Sequence, residues 1–222
     1  MGAQFGYRKP SDLPAVIPVF PLNGAVVFPR GQLPLNIFEP RYLNMVDDAL
    51  AGTRLIGMVQ TAAGGDRAAP ALCAVGCVGR LTSFSETDDG RYLITLTGIA
   101  RFRLGRELQV KSPYRQVEAL WDDFAGDLAG PDAPVGFDRE RLSRVLRDYL
   151  GRRGLSADWD SISSADPEPL VNGLAAMCPF STAERQGLLE AESLEDRARM
   201  LTTLLEIAAA GDAGEDGDAP LQ

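Results

Sequence analysis

The chain contains no histidine, and only two of its 22 basic residues, Lys9 and Lys111, are lysines. The commonest general base and the commonest metal ligand among side chains are therefore missing. A phosphate-binding loop needs Gly-Lys-Ser/Thr, so that backbone amides and an ammonium group surround the phosphates. Lys9 follows Arg8 and Lys111 follows Val110, which excludes that loop, and no Gly-x-Ser-x-Gly element offers a nucleophile elbow. Cysteine is scarce too: Cys73, Cys77 and Cys178 are too few for a disulfide framework. Cys73 and Cys77, four apart on a stretch of strand character, share a face, but a closed zinc site wants four Cys or His ligands. They read as small buried hydrophobes, and neither a metal nor any other cofactor is expected.

Long apolar runs are absent as well. Proline, glycine or charge interrupts every candidate for a membrane span, and the first twelve residues lead into no apolar core of a signal peptide. A cytoplasmic chain without membrane contact is expected. For acid–base chemistry there remain three Asp-Asp pairs, Asp47-Asp48, Asp88-Asp89 and Asp122-Asp123. Neighbours on a helix or strand point apart. The pairs read as a solvated helix face, a tight turn and a linker, with no further group to complete a catalytic constellation. No catalytic residue is assigned and the chain is expected not to be an enzyme; a peptidase or hydrolase with an unfamiliar site is the opposing reading.

What is present is an ordinary globular composition, 45% hydrophobic and 24% charged over 222 residues. The net charge of −9 is uneven: residues 1–120 hold 13 Lys/Arg against 10 Asp/Glu (+3), and residues 121–222 hold 9 against 21 (−12). That asymmetry suggests two lobes with different surfaces. The acidity argues against nucleic acid as a partner. Arg91, Arg101, Arg103, Arg106, Lys111 and Arg115, interleaved with Tyr92, Phe102 and Tyr114, keep an RNA-binding face open as an alternative.

Along the chain, residues 1–14 lack periodicity and read as a flexible arm. Residues 15–121 read as a β-rich lobe. Val16 to Phe20 begins it, and Leu33 to Phe38 runs into a helix. There Glu39 marks the start, Pro40 sets the first helical φ, and Tyr42, Leu43, Val46 and Leu50 recur at helical spacing. Leu55 to Val59 is nearly continuously apolar, as in a strand buried on both faces. Cys73–Glu86 and Arg91–Leu104 form a hairpin turned by Asp88-Asp89-Gly90. Gly76, Gly79 and Gly98 inside those strands imply bulges and strong bending. Residues 122–137 read as a linker, and 138–211 as four helices opened by Asp138, Asp166-Pro167, the capping box Ser181-Thr182-Ala183-Glu184, and Ser193. Residues 212–222 read as a disordered acidic tail.

The succession Ile17-Pro18-Val19-Phe20-Pro21-Leu22, then Val26-Val27-Phe28-Pro29, then Phe38-Glu39-Pro40-Arg41-Tyr42 resembles the N-terminal substrate-binding domain of Lon-type proteases. The resemblance continues through Arg54–Val59, Val75–Leu81 and Leu96–Phe102 and, by helix pattern, to about Ala210. It is strongest to small proteins that carry only that domain and to RING-finger proteins that append it. It implies an α+β fold: a strongly bent β-sheet or pseudo-barrel lobe (PUA-like) with one inserted helix, followed by a C-terminal four-helix bundle lobe. It also implies a non-catalytic polypeptide-binding module, an adaptor or substrate-capture protein. Its partners would be unfolded or misfolded segments, with a separate protease or chaperone as a further candidate; the sequence leaves the oligomeric state open between monomer and weak dimer. Full-length Lon-type proteases cleave with a Ser–Lys dyad, for which this sequence has no lysine beyond position 111.

Candidate peptide-binding residues lie in the opening stretch. Pro21, Leu22, Phe28, Pro29 and Arg30 fall in loops and are expected to be partly exposed, and Phe38 could join them in an apolar patch. Glu39 and Arg41 read either as a polar pair orienting a bound peptide backbone or as a helix-start carboxylate and its ion-pair partner.

Overall fold

The structure, a computed structural model, describes residues 5–65, 70–129 and 136–211. The chain forms two compact units, Met1–Asp132 with Pro179–Leu189, and Ala133–Cys178 with Glu190–Gln222.

The first unit is built on β1 (Val16–Pro21), β2 (Gln32–Ile37), β3 (Leu55–Val59), β6 (Val75–Glu86), β7 (Tyr92–Glu107) and β8 (Arg115–Leu120), with α1 (Pro40–Ala51) between β2 and β3. A small ribbon of β4 (Thr61–Gly65) and β5 (Pro70–Leu72) stands apart from this sheet. The main sheet runs β2-β7-β6-β3-β1-β8, and a further β7–β8 pairing joins its far end back to β7. Five strands thus close on themselves, which satisfies their edges, and β2 rides outside on the first half of β7. Among the described strands only β1 and β3 pair in parallel. The sixteen residues of β7 make this possible, since Tyr92–Thr97 pair with β2 and Arg103–Glu107 with β8.

The barrel interior holds Ile17, Val19, Leu55, Val59, Val78, Ile99, Phe102, Val117 and Trp121. All five residues of β3 are buried, as its continuous apolar run predicts. The hairpin turns through Thr87–Arg91 with Gly90 at φ +78°, the left-handed position a three-residue hairpin loop requires. A bulge leaves Ile99 unpaired between the Val78–Ala100 and Gly79–Gly98 pairs. At Gly98 a Cβ would fall 2.0 Å from the Phe28 carbonyl oxygen, so only glycine lets the Val26–Arg30 segment cross this strand. That segment is clamped there by Arg30 N–H donating to the Gly98 carbonyl at 2.8 Å and Gly98 N–H to that of Gly31 at 2.8 Å.

Part of the expected flexible arm is docked. Leu13 is buried, Phe5 and Tyr7 pack on the barrel core, and Trp121 Nε1 donates to the Pro14 carbonyl at 3.1 Å. Its first four residues, the segment 130–135 of the expected linker and the expected tail 212–222 lie outside the described residues. The start of the expected linker forms a 3-10 segment, Asp122–Leu128, whose Asp127 is buried against Arg101.

In the second unit α6 (Leu194–Gly211) packs on α2 (Arg139–Arg152) and α4 (Pro167–Met177). Asp138 caps α2 through Arg141 N–H, and a buried Arg197–Asn172 hydrogen bond of 2.8 Å links α6 to α4. The four expected helices are joined by α3 (Trp159–Ser164), whose polar Trp-Asp-Ser-Ile-Ser-Ser gives no periodic signal. One of the four, α5 (Thr182–Glu190), belongs over Thr182–Leu189 to the first unit. Buried glutamines dock it on the barrel. Gln60 Nε2 donates to Gln186 Oε1 at 3.0 Å and to the Thr182 carbonyl at 3.1 Å, while Gln186 Nε2 donates to the Val75 carbonyl at 3.0 Å.

Candidate functional site

A cleft of about 390 Å³ opens in the first unit, lined by Pro21, Arg41, Tyr42, Thr61, Pro70, Pro113, Tyr114 and Arg115. These residues sit at element ends, where the chain turns and the regular ladder stops. Pro21 ends β1, Arg41 and Tyr42 lie in the first turn of α1, Thr61 and Pro70 begin β4 and β5, and Pro113 and Tyr114 lead into β8. Pro40 presets the turn that holds Arg41 and Tyr42, and the Glu39 carbonyl accepts from Tyr42 N–H at 2.9 Å and Leu43 N–H at 3.0 Å.

The two tyrosines are held rigidly. Tyr42 packs on Phe20 with ring centroids 4.2 Å apart, and Tyr114 Oη donates to Asp48 Oδ2 at 2.6 Å. Burial, reinforced by the Asp48 carboxylate, pushes the Tyr114 phenol up to about 12, and burial likewise raises that of Tyr42. Both rings are therefore neutral near pH 7. Thr61 donates from both its N–H (2.9 Å) and its hydroxyl (2.7 Å) to Asn23 Oδ1, which fixes the loop after β1. Arg115 is held by Glu107, whose carboxyl it lowers, and donates from Nη1 to the Pro70 carbonyl at 2.8 Å. The result is a concave surface of proline and tyrosine rings with two guanidinium groups. It can accept apolar rings and a hydrogen-bond acceptor, and it holds no nucleophile paired with a base. Among the described residues no group of three or more Cys, Asp or Glu is gathered that could hold a metal ion.

Of the residues named from the sequence, Pro21 and Arg41 line this cleft, and Glu39 stands beside it through its ion pair with Arg41. Glu39 occupies the N-cap position but makes no side-chain cap; its carboxylate goes to Arg41 instead. Leu22 is half-buried and donates its N–H to the Val59 carbonyl. Phe28 and Pro29 are buried, Phe28 at 2% exposure, so the expectation of partial exposure is corrected: the gap at Gly98 draws this segment into the core. Arg30 adopts φ +65°, and its guanidinium donates to the Asp127 carbonyl at 2.6 Å, a structural tie. Phe38 is 65% exposed, after the end of β2 and apart from the cleft lining. Tyr42, Thr61, Pro70 and Pro113 are the lining residues not singled out from sequence as binding residues, and Tyr114 and Arg115 were named only for the RNA-binding alternative.

The arginines interleaved with aromatics do not form an open basic face. Arg91, Arg101, Arg103, Arg106 and Arg115 pair with Asp89, Asp127, Asp123, Glu118 and Glu107 respectively.

The architecture is that of Lon N-terminal domains. A Lon N-terminal domain protein from Xanthomonas campestris superposes with a TM-score of 0.60 at 25% identity, over 85% of this chain and 97% of that one. The N-terminal domain of a Lon protease from the Mycobacterium avium complex gives 0.61 at 18% identity, over 86% and 97%. The chain belongs to the family of ATP-dependent protease La (LON) substrate-binding domains, whose profile matches residues 16–206. Similar proteins include Lon protease 2 of Myxococcus xanthus, 28% identical over 90% of this chain, and the Lon protease of Anaeromyxobacter dehalogenans, 29% identical over 87%. The matches span only 24% and 23% of those two proteins' own length. Among the described residues no helix is long and apolar enough to cross a membrane.

Proposed function

We propose that this chain is a polypeptide-binding module without catalysis of its own, which takes extended segments of unfolded or misfolded proteins into the cleft between Tyr42 and Tyr114. The observation that carries the reading is the cleft itself. Three prolines present rigid apolar surface at low entropic cost beside two neutral tyrosines that are only 6% and 8% exposed, a preformed lining on which an extended chain can pack. Membership of a substrate-binding family supports a recognition role. Handing bound segments to a separate protease or chaperone, as an adaptor, is the cellular role that fits such a module. The pairing of the β7–β8 arginines with carboxylates favours polypeptide over RNA, since phosphate binding needs uncommitted cations.

The test is titration of a labelled, permanently unfolded polypeptide against the full chain and against Pro113→Trp. Pro113 is exposed, so the larger ring fills the mouth of the cleft without entering the core. Saturable binding weakened about tenfold or more by this change, about 1.4 kcal/mol, is expected. Absence of binding, or equal binding by the variant, would refute the cleft. Peptidase or ATPase activity of the purified chain would refute the non-catalytic reading.

A further inference from the structure

Which segments the cleft accepts can be narrowed, on the premise that it binds polypeptide as proposed above. Its two arginines differ in how their hydrogen-bonding capacity is used. Every nitrogen of Arg115 is engaged: Nε and Nη2 donate to the two oxygens of Glu107, and Nη1 donates to the Pro70 carbonyl. Arg41 is held along one edge only. Its Nε and Nη2 both point at a single oxygen, Glu39 Oε2, at 2.9 and 2.8 Å, and its Nη1 has no partner among the described residues. The Arg41 side chain is 48% exposed, and its guanidinium lies 4.5 Å from the centroid of the Tyr42 ring.

A guanidinium is a planar fork with five N–H groups, so engagement along the Nε–Nη2 edge leaves the Nη1–Nη2 end able to take a second carboxylate. The remaining lining offers almost no competing donors. Prolines 21, 70 and 113 have no N–H, the Tyr114 hydroxyl is given to Asp48, and the Thr61 hydroxyl to Asn23. Among the described residues the cleft thus combines apolar proline rings with one cationic fork that is only partly filled, and a complementary ligand pairs a ring with an anion.

We infer that the cleft selects internal polypeptide segments in which a Glu or Asp side chain lies next to a proline or aromatic residue. The ring packs on the prolines of the lining, beside the buried Tyr42 and Tyr114, and the carboxylate takes the Nη1–Nη2 end of Arg41. Glu39 remains in place and orients the fork. Its negative charge also tempers the attraction, so the carboxylate improves affinity about tenfold rather than dominating it.

Two peptides with acetylated and amidated ends test this, one with a Glu-Pro-Tyr core in a Gly-Ser spacer and the other with Gln-Pro-Tyr. Titrated by fluorescence anisotropy against the full chain at low salt, the Glu peptide is expected to bind about tenfold tighter. Raising the salt should shrink the gap, and in Arg41→Gln the two peptides should bind alike. A third peptide, with the Gln core and a free C-terminus as its only carboxylate, is expected to bind no better than the Gln peptide. Equal affinities for the Glu and Gln peptides, a gap that persists in Arg41→Gln, or tighter binding of the third peptide would each overturn the inference. Failure of every peptide while the unfolded polypeptide still binds would overturn it and leave the capture function standing. Loss of unfolded-polypeptide binding as well would overturn both.

Discussion

Tyr114 Oη donates to Asp48 Oδ2 across 2.6 Å, tying the start of β8 to the outer turn of α1 beside the cleft. Two elements 66 residues apart in sequence are thereby held in register around Tyr42 and Arg41. The bond is possible only while the phenol keeps its proton, and that makes it a handle on stability at high pH.

With its phenol pushed up to about 12 from an ordinary value of 10, Tyr114 keeps its proton in the folded chain where the unfolded chain has lost it. The contribution is fully present below pH 10 and is lost as the pH rises from 10 towards 12, because there the unfolded state binds fewer protons. Urea midpoints taken across that range should fall with pH, and Tyr114→Phe should flatten part of the fall. The same variant should cost about 0.5–1.5 kcal/mol near neutrality, the usual net worth of one hydrogen bond. A slope identical in both proteins would refute this assignment.

Arg101 and Asp127 make a buried, two-pronged pair. Nε and Nη2 of Arg101 donate to Oδ2 and Oδ1 at 2.9 Å, and the Arg101 backbone N–H adds a third bond of 2.9 Å to Oδ2. Arg101 Nη1 also reaches the Leu189 carbonyl at the end of α5, so one side chain fastens both the 3-10 segment and α5 to the barrel. Asp127→Ala leaves a buried guanidinium without its counter-charge and should cost about 3–5 kcal/mol in denaturant unfolding. The double change Arg101→Met with Asp127→Leu removes both charges and should recover most of that loss. A double variant no more stable than Asp127→Ala would show that packing, not the stranded charge, sets the cost.

Phe28 and Phe38, ten residues apart, look alike in the sequence and are opposite in the structure. Phe28 is 2% exposed and Phe38 is 65% exposed. Phe28→Ala should cost about 3–5 kcal/mol by opening a cavity in the core, whereas Phe38→Ala should stay within about 0.5 kcal/mol. Thermal unfolding of the two variants side by side decides it, and comparable losses would refute the placement of Val26–Arg30 over Gly98.

The strands, the Asp-Asp-Gly hairpin, the start of α1 and the capping box of α5 were legible because each is written in a local pattern. Ser181 N–H does donate to Glu184 Oε2 at 2.7 Å, as the capping box requires. Phase was less secure. The predicted inner face of α1 included Leu43 and Leu50, yet Met45 and Ala49 are buried with Tyr42 and Val46, because the contact stripe follows 42-45-46-49. The docking of α5 on the barrel rests on Gln60 and Gln186, whose amides look like surface groups until they are seen to satisfy one another. The cleft was legible only at Pro21 and Arg41. Its other walls come from strand ends far apart in sequence, and no periodicity links Tyr42, Thr61, Pro70 and Tyr114 before the barrel closes.

Gly98 offers the most direct check on that closure. Its backbone is not in the left-handed region, so a side chain there meets no conformational penalty and the obstacle is wholly steric. An added Cβ would stand 2.0 Å from the Phe28 carbonyl oxygen and 3.2 Å from the Val27 side chain, and the nearest atom is backbone that is itself held by the Arg30–Gly98 and Gly98–Gly31 hydrogen bonds. Either the Val26–Arg30 segment lifts off β7, exposing Phe28, or β7 itself is displaced from the barrel. Gly98→Ala should therefore cost at least about 3 kcal/mol, the upper end of ordinary overpacking. Gly126→Ala, at a position with no atom within 4 Å of the added carbon, should be tolerated within about 0.5 kcal/mol. Urea unfolding of the two single variants separates the cases, and a Gly98→Ala protein as stable as Gly126→Ala would mean that the segment bearing Phe28 does not cross β7 at this point.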